Sequence, residues 1–481
     1  MSEKIVLNPQ LNFIDGQRLS PDSELGGWLC NPNTGERLQP QRASSPAQIE
    51  RALAAAARVH ESGTWAARAD RAELMEQIAA ELEKRIEDMA QQEALTTGVV
   101  ITLTRLLMQI APLTFRQAAA QLRSGWTRST LPGPHGAVEV LRQPWGAAAL
   151  IAPWNAPGPI AAHKTANALA AGCPAILKPS EFAPATCNLI ADAIEAVGLP
   201  PGVFQLVHGG AEVGAALVHD SRIRAVSFTG GLNGGRAVAA ACAHDFKPAQ
   251  LELGGNNPMV ILEDADVELA AQAVVYGLIT LNGQWCRALG RLLVHESLAH
   301  LLLNRVLTLL ADVQIGDARA PESAMGPLIH AGHLRHVQGQ IAALLEKGGT
   351  AHSTTPLPAL PGYFLAPTLI TGCAPQDTLD EIFGPVAVMH SFATDSEALA
   401  LANQTPFGLA GYVFSRDEAR ALRLGRQIRS GGVKINGIGL VGLHPLAPRP
   451  AWGLSGFGEE GTEETFRFFC GTRVVGVAAR S

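Results

Sequence analysis

Residues 281–290, LNGQWCRALG, place one cysteine, Cys286, between a tryptophan and an arginine, with no partner cysteine nearby. A thiolate attacks carbonyl carbon well once a base or a positive dipole makes it available at neutral pH. Such a nucleophile needs a donor for the oxyanion that its attack creates, and a partner for the product. Asn155, in APWNAPG, follows an apolar run and a proline, and its amide can donate to a developing oxyanion. Glu252, in LELGGNNP, ends an apolar run just before two glycines, which pushes a carboxylate to a place where backbone can approach closely. Lys178 and Glu181, in KPSE, stand where another apolar run stops and can grip a nucleotide ribose between ammonium and carboxylate. FTGGLNGG, 228–235, reads as a glycine-rich turn from strand to helix whose N–H groups can face a phosphate, although it is not the G-x-G-x-x-G fingerprint. Each group also has a plainer reading on local sequence: a core cysteine, a turn asparagine, a capping acid, a surface ion pair.

The elements that must position these groups follow from hydrophobic patterning. From residue 146 the short apolar runs GAAALIAP, PAILKPS, FQLVHGG, AVSFTGG and AQLELGG alternate with helical segments. Runs that are apolar throughout fit a parallel sheet covered on both faces, and ligands of such sheets sit beyond the carboxyl ends of the strands. The positions to inspect are then 153–155, 178–181, 209–210, 229–231 and 252–255. Upstream, Ser45 to Gln48 reads as a capping box with proline at the first helical position. Leu74, Ile78, Leu82, Ile86 and Met89 predict one long amphipathic helix running to Gly98 and lying across a sheet. A second α/β block, 255–460, offers PMVILEDAD, VHESL, GPVAVMHSF, GYVFSRD and GGVKING as strands and STTPLPALPGYF as a loop. The tail FRFFCGTRVVGVAAR reads as an edge strand paired elsewhere, such as on another subunit.

At 481 residues the chain is long enough for two or three cores. Its 47% apolar and 17% charged residues match a packed enzyme, and with a net charge of −6 no basic block argues for phosphate-backbone binding, so nucleic acid is not expected as a partner. Seven scattered cysteines with no C-x-x-C pair indicate neither disulfide framework nor metal site, and a reducing cytoplasm fits best. The N-terminus MSEKIVLNPQLNFIDGQRLS is too polar for a signal peptide, and the most apolar segment, 99–115, is interrupted by Arg105, Gln109 and Pro112, so no membrane association is expected.

Taken together, PWN at 153–155, KPSE at 178–181, FTGG at 228–231, ELGG at 252–255, GQWC at 283–286 and EIFGPV at 381–386 stand in the order and near the separations of the NAD(P)-dependent aldehyde dehydrogenase superfamily, which the chain resembles over nearly its whole length. The resemblance implies an α/β fold: a Rossmann-like parallel-sheet cofactor domain (1–120 and 144–254), an α/β catalytic domain (255–462) and a small oligomerisation arm (121–143 and 463–481) of a homodimer or homotetramer. It implies that Cys286 attacks the aldehyde, that the Asn155 amide and the Cys286 N–H hold the oxyanion, and that Glu252 is the base for thioester hydrolysis. Cofactor contacts fall on Pro153, Trp154, Lys178, Ser180, Glu181, Gly210, Thr229, Gly230, Gly231, Glu381 and Phe383. Glu181 favours NAD over NADP because a carboxylate repels a 2′-phosphate. Glu252 argues against the CoA-acylating branch of the family, and the joint presence of Cys286, Glu252 and Asn155 argues against a silent relative kept for binding. A cofactor-free cysteine hydrolase would need a histidine beside Cys286, and GQWC has none.

This chain departs from the family pattern at several places. Gly231 stands where the family has serine, Ala156 and His163 stand where it has aromatics, and PRPAWGLSG at 448–456 puts Arg449 in place of another. A wider, more polar tunnel is expected, in which Trp285 forms a wall and Arg287, Arg449 and His163 receive a carboxylate or other polar group of the aldehyde; the plainer reading turns each arginine toward a local acid.

Overall fold

The computed structural model describes residues 7–440 and 442–478; the first six residues of the N-terminus and the last three of the tail, on which expectations above also fell, lie outside them. All five apolar runs after residue 146 form strands, and all are parallel. Their order across the sheet is 204–206, 175–178, 147–151, 223–229, 249–252. Antiparallel strands close both edges, Asn12–Ile14 and Gln17–Leu19 on one side and Gly456–Phe457 on the other. Ala147–Ile151 is buried at every position, because successive side chains feed two cores: Ala148 and Leu150 enter one, and Ala147, Ala149 and Ile151 the other. Chain order reverses beside this strand, so the carboxyl ends of Ala147–Ile151 and Ile223–Thr229 border a topological switch point. Asn155 and Gly231 follow those two ends.

The second sheet has the order 350–352, 368–371, 386–392, 289–295, 257–261, 411–414, 433–435 and is parallel except for its first strand. Residues 353–364 carry no strand or helix, as their proline content predicts. VHESL is a strand only through His295, whose ring nitrogen accepts the Ser297 N–H (3.3 Å) and so caps the helix Glu296–Ala311.

Ser45 caps the helix Pro46–Ser62 through the predicted capping box. The helix expected over 74–98 is instead two, Arg71–Glu83 and Ile86–Thr97. The Glu81 carbonyl that would continue the first accepts the Arg85 guanidinium (2.7 Å), while the Arg85 N–H turns to Leu82 (2.9 Å). Nor does the first of these helices lie on the sheet: it packs on helices Ile110–Arg123, Pro157–Ala171 and Ala185–Val197, as a further layer. The tail departs in part: it ends in the expected edge strand, but that strand is short and its partner lies in the same chain. Its first residues complete the helix Thr462–Phe468, and Cys470–Val475 pairs within the same chain, antiparallel to Gly136–Pro144, which also pairs with Arg128–Gly133. Leu131, Val474 and Val475 of this three-stranded sheet are exposed. Among the described residues no helix is long and apolar enough to cross a membrane, and no cluster of potential metal ligands occurs.

Candidate active site

The turn carrying Cys286 is held by side chains from both sheets. It enters through Leu281, Asn282 and Gly283, all with positive φ (50°, 58° and 71°). Asn282 sustains this conformation by donating to the carbonyls of Gly98 (2.8 Å) and Pro327 (2.9 Å) and accepting the Gly326 N–H (2.8 Å). Beyond it, the Asn155 amide takes the Gln284 carbonyl (2.9 Å) and the Asn257 amide takes those of Cys286 (2.9 Å) and Ala288 (2.7 Å). The Tyr412 hydroxyl takes that of Arg287 (2.6 Å). Among the described residues nothing accepts from the Cys286 N–H. Since a primary amide carries two N–H donors, Asn155 keeps one for a ligand.

Glu252 ends the strand Ala249–Glu252, buried, with its Oε1 lacking any partner. Burial, aided by the neighbouring Glu460 charge, raises its pKa to about 8, against the pull of Arg287, Arg449 and Lys164. Burial likewise pushes the Cys286 thiol up to about 12; Arg287 opposes this, and Glu252, Glu381 and Glu460 add to it.

Two residues that the sequence reading passed over complete this cluster. Lys164, fully buried, donates to Ser227 (2.7 Å) and pairs with Glu460 (3.7 Å). Burial works to raise the Glu460 carboxyl, yet the cations Lys164, Arg449 and Arg287 together hold it below the usual range. The signal for Lys164 was present: one cation inside the apolar helix PGPIAAHKTANALAA must have a buried counter-charge.

The expected cofactor residues line the strand ends. Lys178 is buried and 3.7 Å from Glu181; Ser180 contacts that carboxylate (3.5 Å) and accepts the Phe182 N–H (3.3 Å). A Cβ on Gly210 would lie 3.7 Å from Leu25 and 3.9 Å from Glu181, so both side chains border one patch of open backbone. The buried Thr229 hydroxyl has no partner, the Gly230 N–H is used by the Glu252 carbonyl (3.1 Å), and Gly231 begins the helix Leu232–His244 with nothing within 4 Å of its own would-be Cβ. Trp154, preceded by Pro153, stands edge-on to Phe383 (5.4 Å) and His333 (5.2 Å), and the His333 ring reaches the Phe383 carbonyl (2.6 Å). His333 was also missed. Glu381 accepts the Gly255 N–H (2.8 Å), and burial raises its pKa to about 7.

At the substrate side, buried Ala156 precedes the helix Pro157–Ala171. His163 meets the Thr465 hydroxyl (2.9 Å), and burial lowers its pKa to about 4, leaving the ring neutral. Trp285 is buried beside Tyr276, its indole N–H unpartnered. Arg287 donates to the Leu409 carbonyl (3.1 Å), and Arg449 pairs with Glu460 at 3.8 Å. The plainer reading therefore holds in part for Arg449, which does meet a local acid.

The aldehyde dehydrogenase family matches residues 24–475. The chain belongs to this family. As an aldehyde dehydrogenase it is an oxidoreductase acting on aldehydes. It is 35% identical over 465 residues to the chloroplastic betaine aldehyde dehydrogenase of Beta vulgaris, covering 93% of this chain and 92% of that one. It is 34% identical over 474 residues to the peroxisomal aminoaldehyde dehydrogenase 1 of Malus domestica, covering 95% and 93%. Among solved structures, betaine aldehyde dehydrogenase from Staphylococcus aureus in complex with NAD+ superposes with a TM-score of 0.92 at 29% identity, covering 98% of this chain and 94% of that one. PnpE from Pseudomonas sp. WBC-3 superposes with 0.91 at 32% identity, covering 98% and 97%.

Proposed function

We propose that this aldehyde dehydrogenase oxidises its aldehyde to the carboxylic acid by covalent catalysis at Cys286, with NAD as the acceptor. The observation that carries the reading is the 2.9 Å bond from the Asn155 amide to the Gln284 carbonyl, which sets that amide beside the nucleophile's turn. The Cys286 thiol gives up its proton to water as the sulfur adds to the carbonyl carbon, and the oxyanion so formed is met by the second Asn155 N–H and the unused Cys286 N–H. NAD, when bound, takes up the hydride. Glu252 then withdraws a proton from the water that hydrolyses the thioester.

The residues present fit such a cofactor. Lys178, Ser180, Glu181 and Gly210 would hold the adenosine ribose, and Thr229, Gly230 and Gly231 would lie along the phosphates, where the orphaned Thr229 hydroxyl lacks a partner. Trp154, Glu381 and Phe383 would enclose the nicotinamide riboside, as Pro153 fixes the strand exit. Ala156, His163 and Trp285 would wall the aldehyde.

We read 1–120 with 144–254 as the cofactor domain, 255–462 as the catalytic domain and 121–143 with 463–481 as the arm of a homodimer or homotetramer. The exposed apolar residues of the three-stranded sheet support that last reading. Seven free cysteines suit a reducing compartment such as the cytoplasm. The test is NAD reduction over a panel of aldehydes, with Cys286→Ala as the blank and added CoA to detect acyl transfer; turnover by Cys286→Ala would refute the assignment.

A further inference from the structure

Glu460 stands at the centre of an unusual charge distribution. Its carboxylate lies 3.7 Å from the Lys164 ammonium and 3.8 Å from the Arg449 guanidinium, and Arg449 is its direct cross-strand neighbour. One carboxylate thus faces two cations. Glu252, the other acid of the cluster, is largely uncharged at neutral pH because of its burial. Arg287, next to the nucleophile, has no carboxylate within 4 Å among the described residues; its recorded bond is to the neutral Leu409 carbonyl. It acts on Glu252 and Glu460 alike, as does Arg449, and it adds to burial in lowering the pKa of the half-buried Lys434 on the strand Val433–Ile435. Lys164 and Glu460 cancel, leaving Arg287 and Arg449 in excess. Arg449 keeps 45% of its side chain exposed, so solvent and solutes reach it, whereas Arg287 is more buried.

We propose that this aldehyde dehydrogenase takes aldehydes that carry a second, anionic group, which the exposed Arg449 receives and the more buried Arg287 attracts. A guanidinium offers paired donors in the geometry of a carboxylate, and two uncancelled cations repel a quaternary ammonium. The site therefore differs in sign from one suited to the cationic substrate in the names of its betaine aldehyde dehydrogenase relatives. His163, neutral and bonded to Thr465, adds no positive charge of its own. The inference rests on the reaction proposed above, since it places the aldehyde at Cys286.

Three probes of equal chain length separate the outcomes: butanal, 4-oxobutanoate and 4-trimethylammoniobutanal, each assayed by NAD reduction. The expected order of kcat/KM is anion, neutral, cation, with about tenfold or more between the first two at low salt and less in concentrated potassium chloride. In Arg449→Gln the ratio of anion to neutral kcat/KM should fall about tenfold, chiefly through KM, and Arg287→Gln should lower it independently. Calorimetric binding of 4-oxobutanoate and butanal to NAD-loaded Cys286→Ala gives the same comparison without turnover. An absence of oxidation of all three probes would thus count against the reaction, while preferential binding of 4-oxobutanoate would still support the anion site. Equal binding of the two, a cation as the best substrate, or an unchanged ratio in both arginine variants would overturn the proposal.

Discussion

Replacing Glu252 by glutamine keeps the side chain's volume in a buried site and removes its capacity to take a proton. In the wild type a pKa of about 8 leaves the carboxylate about one-tenth ionised at pH 7 and about nine-tenths at pH 9. If hydrolysis of the thioester limits turnover, the steady-state rate should climb about tenfold across that interval. The variant lacks the titrating group, so its rate should not follow that rise. A positioned general base contributes about a hundred- to ten-thousandfold; taking a thousandfold loss at pH 9, or about 4 kcal/mol, the loss at pH 7 should be only about a hundredfold. Stopped-flow recording of NADH formation makes the distinction. Glu252→Gln should release a burst of about one equivalent per active site and then stall, because acylation of Cys286 does not use this carboxylate. A variant that keeps the wild-type pH profile in steady state, or one that loses the burst while its unburdened fold is intact by circular dichroism, would refute the assignment of Glu252 as the base for hydrolysis.

Other perturbations address other parts of the site. In Gly254→Ala the new Cβ would overlap the Glu381 carboxylate, so KM for NAD should rise about tenfold or more with little change in melting temperature. In Glu181→Ser the preference for NAD over NADP, measured as a ratio of kcat/KM values, should shrink about tenfold, and adding Leu25→Ala should shrink it further, since both side chains border the Gly210 backbone; equal changes for the two cofactors would argue against this. Glu93 is buried against the Gly158 N–H (3.1 Å), and burial raises its pKa to about 8. Its folded-state pKa exceeds the unfolded value, so its contribution is full below about pH 4.5 and is lost, by about 1.4 kcal/mol per pH unit, as pH rises toward 8. Glu93→Gln should flatten that decline in denaturant titrations run at successive pH values.

The five parallel strands after residue 146 were legible because burial on both faces makes a strand apolar at every position, as Ala147–Ile151 shows. The Ser45 cap was legible because its partners lie three residues apart. What failed was governed by distant or competing contacts. The helix expected over 74–98 has unbroken apolar periodicity, yet one arginine side chain claiming the Glu81 carbonyl divides it. The tail's partner, Gly136–Pro144, lies over 320 residues away in sequence; no periodicity names it, and only the family resemblance grouped 121–143 with the tail. Cys286, Asn155 and Glu252 stood out through the motifs around them, and the fold brings their elements together. Asn257, Tyr412 and His333 did not, since an amide, a phenol or an imidazole acquires a role only from the carbonyl it meets.

Asn155 belongs to the first sheet's strand ends, and Asn257 and Tyr412 to the second sheet, yet all three hold carbonyls of the same short turn. The sulfur is therefore suspended between the two halves of the molecule like a knot between two ropes. Were the halves to swing apart between turnovers, those bonds would break and the nucleophile would lose its aim.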